Sequence, residues 1–341
     1  MFGLFGNDFE ITKEELIVGN SNTIVLDKDG NEIANLSTDE NRKTISLSEM
    51  SPYLPKAYIA IEDKRFYSHS GVDIKRTAGA ILGAVTGNSS YGGSSITQQL
   101  VKNITKDKAR SGLAGVVRKM KEWSKAVQVE RMISKDQILE LYLNIIFVGG
   151  NELHGVELGS QYYFNKSAKD LSLAQCAFLA GINNAPNTYN PFKNESDATK
   201  QEQVNKKIKD RTKTVLTKMK DLGYITDEQY KTAYDNVEKG LQFSKGTLPG
   251  SSVKSYFIQA AIDEVVNDLV NEKNYSVEYA KNRVYGGGYK IYTTQSKDVQ
   301  DKIESVYKSD EFVLNSSSAK NHSQSAMVIM DHTTGQVVAC M

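Results

Sequence analysis

The chain has 341 residues, of which 39% are hydrophobic and 24% charged, a balance that excludes a disordered chain and leaves room for two domains. Lys and Arg number 42 against 41 Asp and Glu, and a formal net charge of +1 disfavours a protein that lives mainly on nucleic-acid phosphate. Cys176 and Cys340 lie far apart and the four histidines (His69, His154, His322, His332) are scattered, so no disulfide framework and no His/Cys metal motif is visible.

The opening Met1-Phe-Gly-Leu-Phe-Gly6 is too short and uncharged for a signal peptide. No apolar run reaches the ~18 residues that a membrane span requires. The sequence therefore reads either as cytosolic or as a chain whose membrane anchor lies outside it. Residues 23–36 carry Asp29-Gly30 between two short apolar segments, a hairpin signal. From about residue 52 to 234 the periodicity is helical. Apolar spacing at i, i+3, i+4 predicts helices over 73–86, 94–105, 112–133, 135–146, 171–182, 197–222 and 227–235. Ser134-x-x-Gln137, Ser172-x-x-Gln175 and Thr226-x-x-Gln229 are capping boxes that open three of them. Glycine-rich breaks at 83–93 and 149–159 separate others. A further helical stretch is expected over 252–284, a strand over 289–294, a helix over 296–308 and a polar loop over 315–323. The hairpin over 325–340 reads as the first edge of an absent domain, because an isolated hairpin is marginal in water.

Three clusters carry chemistry. In Glu62-Asp63-Lys-Arg65-Phe66-Tyr-Ser-His69, a continuous helix would put Glu62, Phe66 and His69 on one face, and a carboxylate beside an aromatic ring is a candidate general base. Gly92-Gly-Ser94-Ser95-Ile-Thr97-Gln98-Gln99 opens a helix with small polar residues, an anion-receptive N-terminus with two amides beside it. Between Lys102 and Lys125 stand Lys102, Lys106, Lys108, Arg110, Arg118, Lys119, Lys121 and Lys125, opposed only by Asp107 and Glu122. That local positive field favours a phosphate-type ligand.

In this order, with Ile138-Leu-Glu-Leu-Tyr142-Leu-Asn144, Leu179-Ala-Gly181, Tyr189-Asn-Pro191 and Arg211-Thr-Lys-Thr-Val-Leu216, the clusters resemble the family 51 glycosyltransferases. These are the peptidoglycan polymerase domains of class A penicillin-binding proteins. The likeness runs from about residue 52 to 234. It departs where the family often has Arg-Ala and this chain has Gly79-Ala80, and where many members have Glu and this chain has Gln175.

The resemblance implies a mainly α, lysozyme-like domain over 51–235, with small β elements at the N-terminus and in the C-terminal linker region. Residues 1–50 would follow an absent membrane anchor, 236–322 would be the linker, and 323–341 the first strands of an absent transpeptidase domain. The expected substrates are lipid II and the growing glycan strand, at the extracytoplasmic face of a bacterial membrane, with the membrane surface and cell-wall synthesis proteins as partners and no nucleic acid. By the motif match Glu62 is the general base and Glu122 the second carboxylate. Lys102, Arg110 and Lys121 would hold the diphosphate, supported by Arg118 and Lys119. Ser94, Thr97, Gln98 and Gln99 would line the cleft, and Asp63, Arg65, Phe66, His69, Asn144 and Arg211 complete the expected substrate-binding set. A divalent cation, Mg or Mn, fits beside Glu122 with the diphosphate as co-ligand, although no dedicated cage is visible.

The chemistry agrees with the basic cluster. A glycosidase protonates its leaving alcohol, whereas a diphosphate leaves as an anion and needs positive charge. A lysozyme-like lytic hydrolase would share the carboxylates without requiring the basic segment, and a non-catalytic lipid II-binding module is the other rival. Ser305-x-x-Lys308 and Ser317-x-x-Lys320 match a transpeptidase motif by chance, since no K-T-G follows anywhere.

Overall fold

The computed structural model describes residues 11–12, 16, 23–36, 44–85, 93–105, 112–149, 153–193, 198–246, 255–309 and 325–341. In chain order the first elements are β1 (Ile24–Leu26), β2 (Glu32–Asn35), α1 (Tyr53–Glu62), α2 (Ile74–Val85), α3 (Ile96–Ile104), α4 (Gly112–Met132) and α5 (Lys135–Ile145). Then come β3 (Phe147–Gly149), β4 (Leu153–His154), α6 (Val156–Phe164), α7 (Leu173–Gly181), α8 (Ala198–Asp221) and α9 (Asp227–Lys239). The last are α10 (Tyr256–Glu272), α11 (Val277–Gly286), β5 (Lys290–Tyr292), α12 (Lys297–Tyr307), β6 (Val328–Met330) and β7 (Val337–Cys340). The fold is mainly α. Among the described residues no helix is long and apolar enough to cross a membrane.

Two compact units divide the chain: Met1–Val18 with Arg42–Leu248, and Gly19–Asn41 with Pro249–Met341. The first is built around α7, whose Leu-Ala-Gln-Cys-Ala-Phe-Leu-Ala-Gly run is buried on every side, as a helix apolar all round must be. α1 and α8 pack against it, and the Tyr58 hydroxyl donates to Leu179 O at 3.1 Å. Burial above all, then the charge of Glu62, pushes the Tyr58 phenol well above its ordinary value. Three expected capping boxes form at Ser134, Ser172 and Thr226, and a fourth helix, α3, opens on another at Ser95.

In the second unit β1 pairs antiparallel with β2 and parallel with β5. The hairpin at 24–35 therefore belongs with the C-terminal residues, not to a separate segment 1–50, because its open edge is completed by β5. The stretch 252–284 is two helices. Asn274 takes φ 56° and Ser276 caps α11, so the chain reverses where apolar spacing alone reads through. The C-terminal hairpin is held on one side by α12: Gln300 exchanges two hydrogen bonds with the Cys340 backbone, both 3.0 Å.

One glycine locks the first unit locally. Gly71 has φ 91°, and a Cβ there would meet the Ala126 carbonyl oxygen of α4 at 2.6 Å. Its own carbonyl accepts from Ser95 Oγ at 2.5 Å. Gly71→Ala is expected to lower stability by about 2–4 kcal/mol, from left-handed strain and a backbone clash together. Urea unfolding of the two proteins measures it, and a loss below about 0.5 kcal/mol would contradict the close approach.

Candidate active site

The helix carrying Glu62 stops at that residue. Asp63 leaves the helical region (φ −156°, ψ 73°), and Phe66–Ser68 form a separate 3-10 turn. Glu62, Phe66 and His69 therefore do not share one helix face, and neighbouring carboxylates acquire different roles.

Glu62 is half-buried and both its oxygens accept from neutral amides. Gln99 Nε2 donates to Oε2 at 3.0 Å, and Asn183 Nδ2 donates to Oε1 at 3.1 Å. Asn183 Nδ2 also donates to the Tyr142 hydroxyl at 3.0 Å, which in turn donates to Gln99 Oε1 at 3.0 Å. Burial first, and then the nearby Glu62 charge, raises the Tyr142 phenol far above its ordinary value, so it stays a donor. The Arg76 guanidinium donates to the Glu62 backbone carbonyl. Lys218 of α8 has its ammonium pKa lowered by burial, then by Arg211, Arg76 and Lys64, against the raising effect of Glu62.

Asp63, 0% exposed, turns inward. Its Oδ2 meets His69 Nε2 at 2.9 Å and accepts the Ile96 N–H, the first of α3, at 3.0 Å. Ser95 Oγ accepts the Gln98 N–H at 3.1 Å, while Gln98 Oε1 accepts from Ser95 N at 2.7 Å. The anion that the sequence places at this helix N-terminus is thus supplied by Asp63 itself. Gln98 is a capping residue, fully buried, and of the amide pair only Gln99 reaches the carboxylate.

Glu122 sits on α4 in a different setting. Arg118 Nη1 contacts one oxygen at 2.8 Å and Lys119 Nζ contacts the other; Lys119 also donates to Ser94 Oγ at 2.9 Å. Side chains at i−4 and i−3 reach Glu122 because they lie on the same helix face. Lys102 is exposed, Lys121 half-buried, and Arg110, Lys106 and Lys108 lie outside the described residues. Among the described residues no group of three His, Cys, Asp or Glu side chains could hold a metal ion. With both Glu122 oxygens already on cations, the donor set here does not fit a resident divalent ion.

The remaining expected residues are engaged with neighbouring groups of the scaffold. The Arg65 guanidinium forks onto Asp73 at 2.8 and 2.7 Å. Phe66 is fully buried, with Lys135 Nζ 4.5 Å from its ring centre. Thr97, also buried, donates to Glu130 Oε1 at 2.5 Å, and Lys135 reaches the same oxygen at 2.7 Å. Arg211 Nε donates to Gly181 O at 2.7 Å. Asn144 clamps the Ile45 backbone, accepting from its N–H at 3.0 Å and donating to its carbonyl at 2.9 Å. Tyr142 and Asn183 were not among the expected residues. The signal for Asn183 was two consecutive amides directly after a buried apolar helix.

Asp73 gives a pH test. Burial pushes its carboxyl up, but the Arg65 fork and the Arg76 N–H outweigh it, so its pKa lies below the ordinary 3.8. A depressed folded-state pKa adds stability that is present above about pH 4 and lost as pH falls through the folded value. Asp73→Asn should therefore unfold at lower urea than the parent at pH 7, with the gap closing below about pH 4. An undiminished gap at pH 3 would contradict it.

The described geometry holds one carboxylate between amides and another between cations. A family model described as transglycosylase matches residues 29–220, and the chain belongs to that family. It is 38% identical over 333 residues to penicillin-binding protein 1A of Clostridium botulinum, covering 95% of this chain and 39% of that protein. It is 36% identical over 337 residues to penicillin-binding protein 1A of Clostridium perfringens (94% and 39%), and 33% identical over 341 residues to penicillin-binding protein 1F of Bacillus subtilis (99% and 43%). The chain thus spans about two-fifths of the length of these relatives.

Proposed function

We propose that this chain is a peptidoglycan glycosyltransferase that joins lipid II into β-1,4-linked glycan with inversion and release of the lipid diphosphate. The observation that carries this reading is the contrast between the two carboxylates. Among the described residues Glu62 is held by neutral amides alone and no cation neutralises it through a hydrogen bond, whereas Glu122 shares its charge with Arg118 and Lys119. In the proposed reaction Glu62 takes the proton of the acceptor 4-hydroxyl. The freed oxygen attacks the donor anomeric carbon, and the bond from that carbon to the diphosphate breaks. The diphosphate departs with the electron pair toward the cations of α4, which stabilise developing negative charge. The ion pairs of Arg118 and Lys119 with Glu122 keep those cations in place before substrate arrives.

The substrate is lipid-linked, so the reading includes contact with the outer membrane surface. Val116, Val117 and Met120, exposed on the α4 face next to the cations, support it.

The test is incubation with labelled lipid II in detergent, with Mg²⁺ or with EDTA, and sizing of products before and after lysozyme. Long lysozyme-sensitive strands are expected. Short hydrolysed sugars would replace this reading by a lytic hydrolase, and bound but unchanged lipid II by a binding module.

A further inference from the structure

We propose that Asn183 is a positioning residue that sets the orientation of the Glu62 carboxylate for proton abstraction. The inference rests on the reading of Glu62 as the base.

A carboxylate on a long side chain rotates freely about its last bond unless both oxygens are held. Here Gln99 and Asn183 approach opposite oxygens at 3.0 and 3.1 Å, which fixes the carboxylate plane. Each oxygen carries about two acceptor positions, so one amide per oxygen leaves a position on each for an incoming hydroxyl.

Asn183, Tyr142 and Gln99 form one hydrogen-bonded chain that begins and ends on Glu62. Asn183 Nδ2 has two N–H bonds, one for Glu62 and one for Tyr142. Tyr142, its hydroxyl oxygen occupied by Asn183, gives its own proton to Gln99 Oε1. Gln99 must then present its amide N–H to Glu62. Both amides thus turn a donor toward the carboxylate, one from each side.

Asn183 also stands on a firm support. It lies in the short 3-10 turn Ile182–Asn184 that follows α7, closed by Ala185 N donating to Ile182 O at 3.0 Å. Ile182 is buried, and Arg211 holds the preceding carbonyl of Gly181. The amide is therefore fixed from the core outward, on an element separated from Glu62 by 121 positions in sequence. A ring serving cohesion alone would not need to converge on a half-exposed carboxylate from both sides.

The test is steady-state polymerisation of lipid II by the full chain carrying Asn183→Leu, Asn183→Ala, Gln99→Ala or the Asn183→Leu/Gln99→Ala pair, with Tm recorded for each. In both Asn183 variants kcat should fall about tenfold, the weight of one hydrogen bond to a charged group, with KM within about twofold of the parent. The combined variant should lose less than the product of the single losses, because both amides act on one group. The inference is overturned if kcat stays within about twofold of the parent, or if KM and Tm move with kcat as in general loosening. It is overturned together with the base reading if the parent chain makes no polymer. A parent that polymerises and a Glu62→Gln variant that does not, beside unaffected Asn183 variants, would remove this inference alone.

Discussion

Glu62→Gln is expected to reduce lipid II polymerisation by about 10²–10⁴-fold, the usual weight of a positioned general base. A glutamine keeps the volume and the helix end but has no charged oxygen to receive a proton. It also presents one acceptor where two amides converge, so either Gln99 or Asn183 is left donating to an NH₂ group. That mismatch costs roughly 1–3 kcal/mol, so the variant should remain folded but unfold at lower urea than the parent. The two effects separate cleanly: turnover falls by orders of magnitude while lipid II binding persists. Polymer formation within about threefold of the parent would remove Glu62 from the role of base.

Asp63→Ala should be the most damaging change to the scaffold. One buried oxygen accepts both the His69 ring nitrogen and the first N–H of α3, and alanine strands both. Two buried groups without partners cost about 2–5 kcal/mol. Asp63→Asn distinguishes hydrogen bonding from mere volume. An amide oxygen in the place of Oδ2 keeps both contacts, so the loss should be about 1–2 kcal/mol. Because α3 carries Gln99, the alanine variant should also lose activity beyond its loss of fold. Equal destabilisation by Asn and Ala, measured by urea unfolding, would refute the account of this oxygen.

Much of the scaffold was legible because it is local. A capping box needs four consecutive residues, and the three read from spacing form. The fourth, Ser95-x-x-Gln98, has the same spacing, yet the small residues around it read as an anion site and draw its glutamine to a cleft. α6 was hidden for a different reason. Gly155 and Gly159 read as a break, but Gly159 lies inside the helix, where a Cβ would come within 3.0 Å of Leu179 and 3.1 Å of Val148. The glycine answers to tertiary packing, which periodicity does not register.

The site divides in the same way. Arg118, Lys119 and Glu122 meet at helical spacing and could be grouped from sequence. The opposite fates of Glu62 and Asp63 depend on where α1 stops, and helix ends are the least determined feature of a periodic pattern. Asn183 reaches Glu62 from the turn after α7, and Tyr142 of α5 links it to Gln99, through contacts that no local motif announces.

The pairing of β1 with β5 bears on how this chain comes off the ribosome. Ile24 is hydrogen-bonded into a strand whose matching residue is Lys290, with the whole of Arg42–Leu248 translated between them. At roughly 5–20 residues per second, the β1 edge waits on the order of 15–50 s for its neighbour to be made. The helical unit, rich in short-range contacts, has time to fold in that interval, whereas the small sheet closes last. An open strand edge during that wait is a template for pairing with other chains, and the brevity of β1, three residues, limits the hazard.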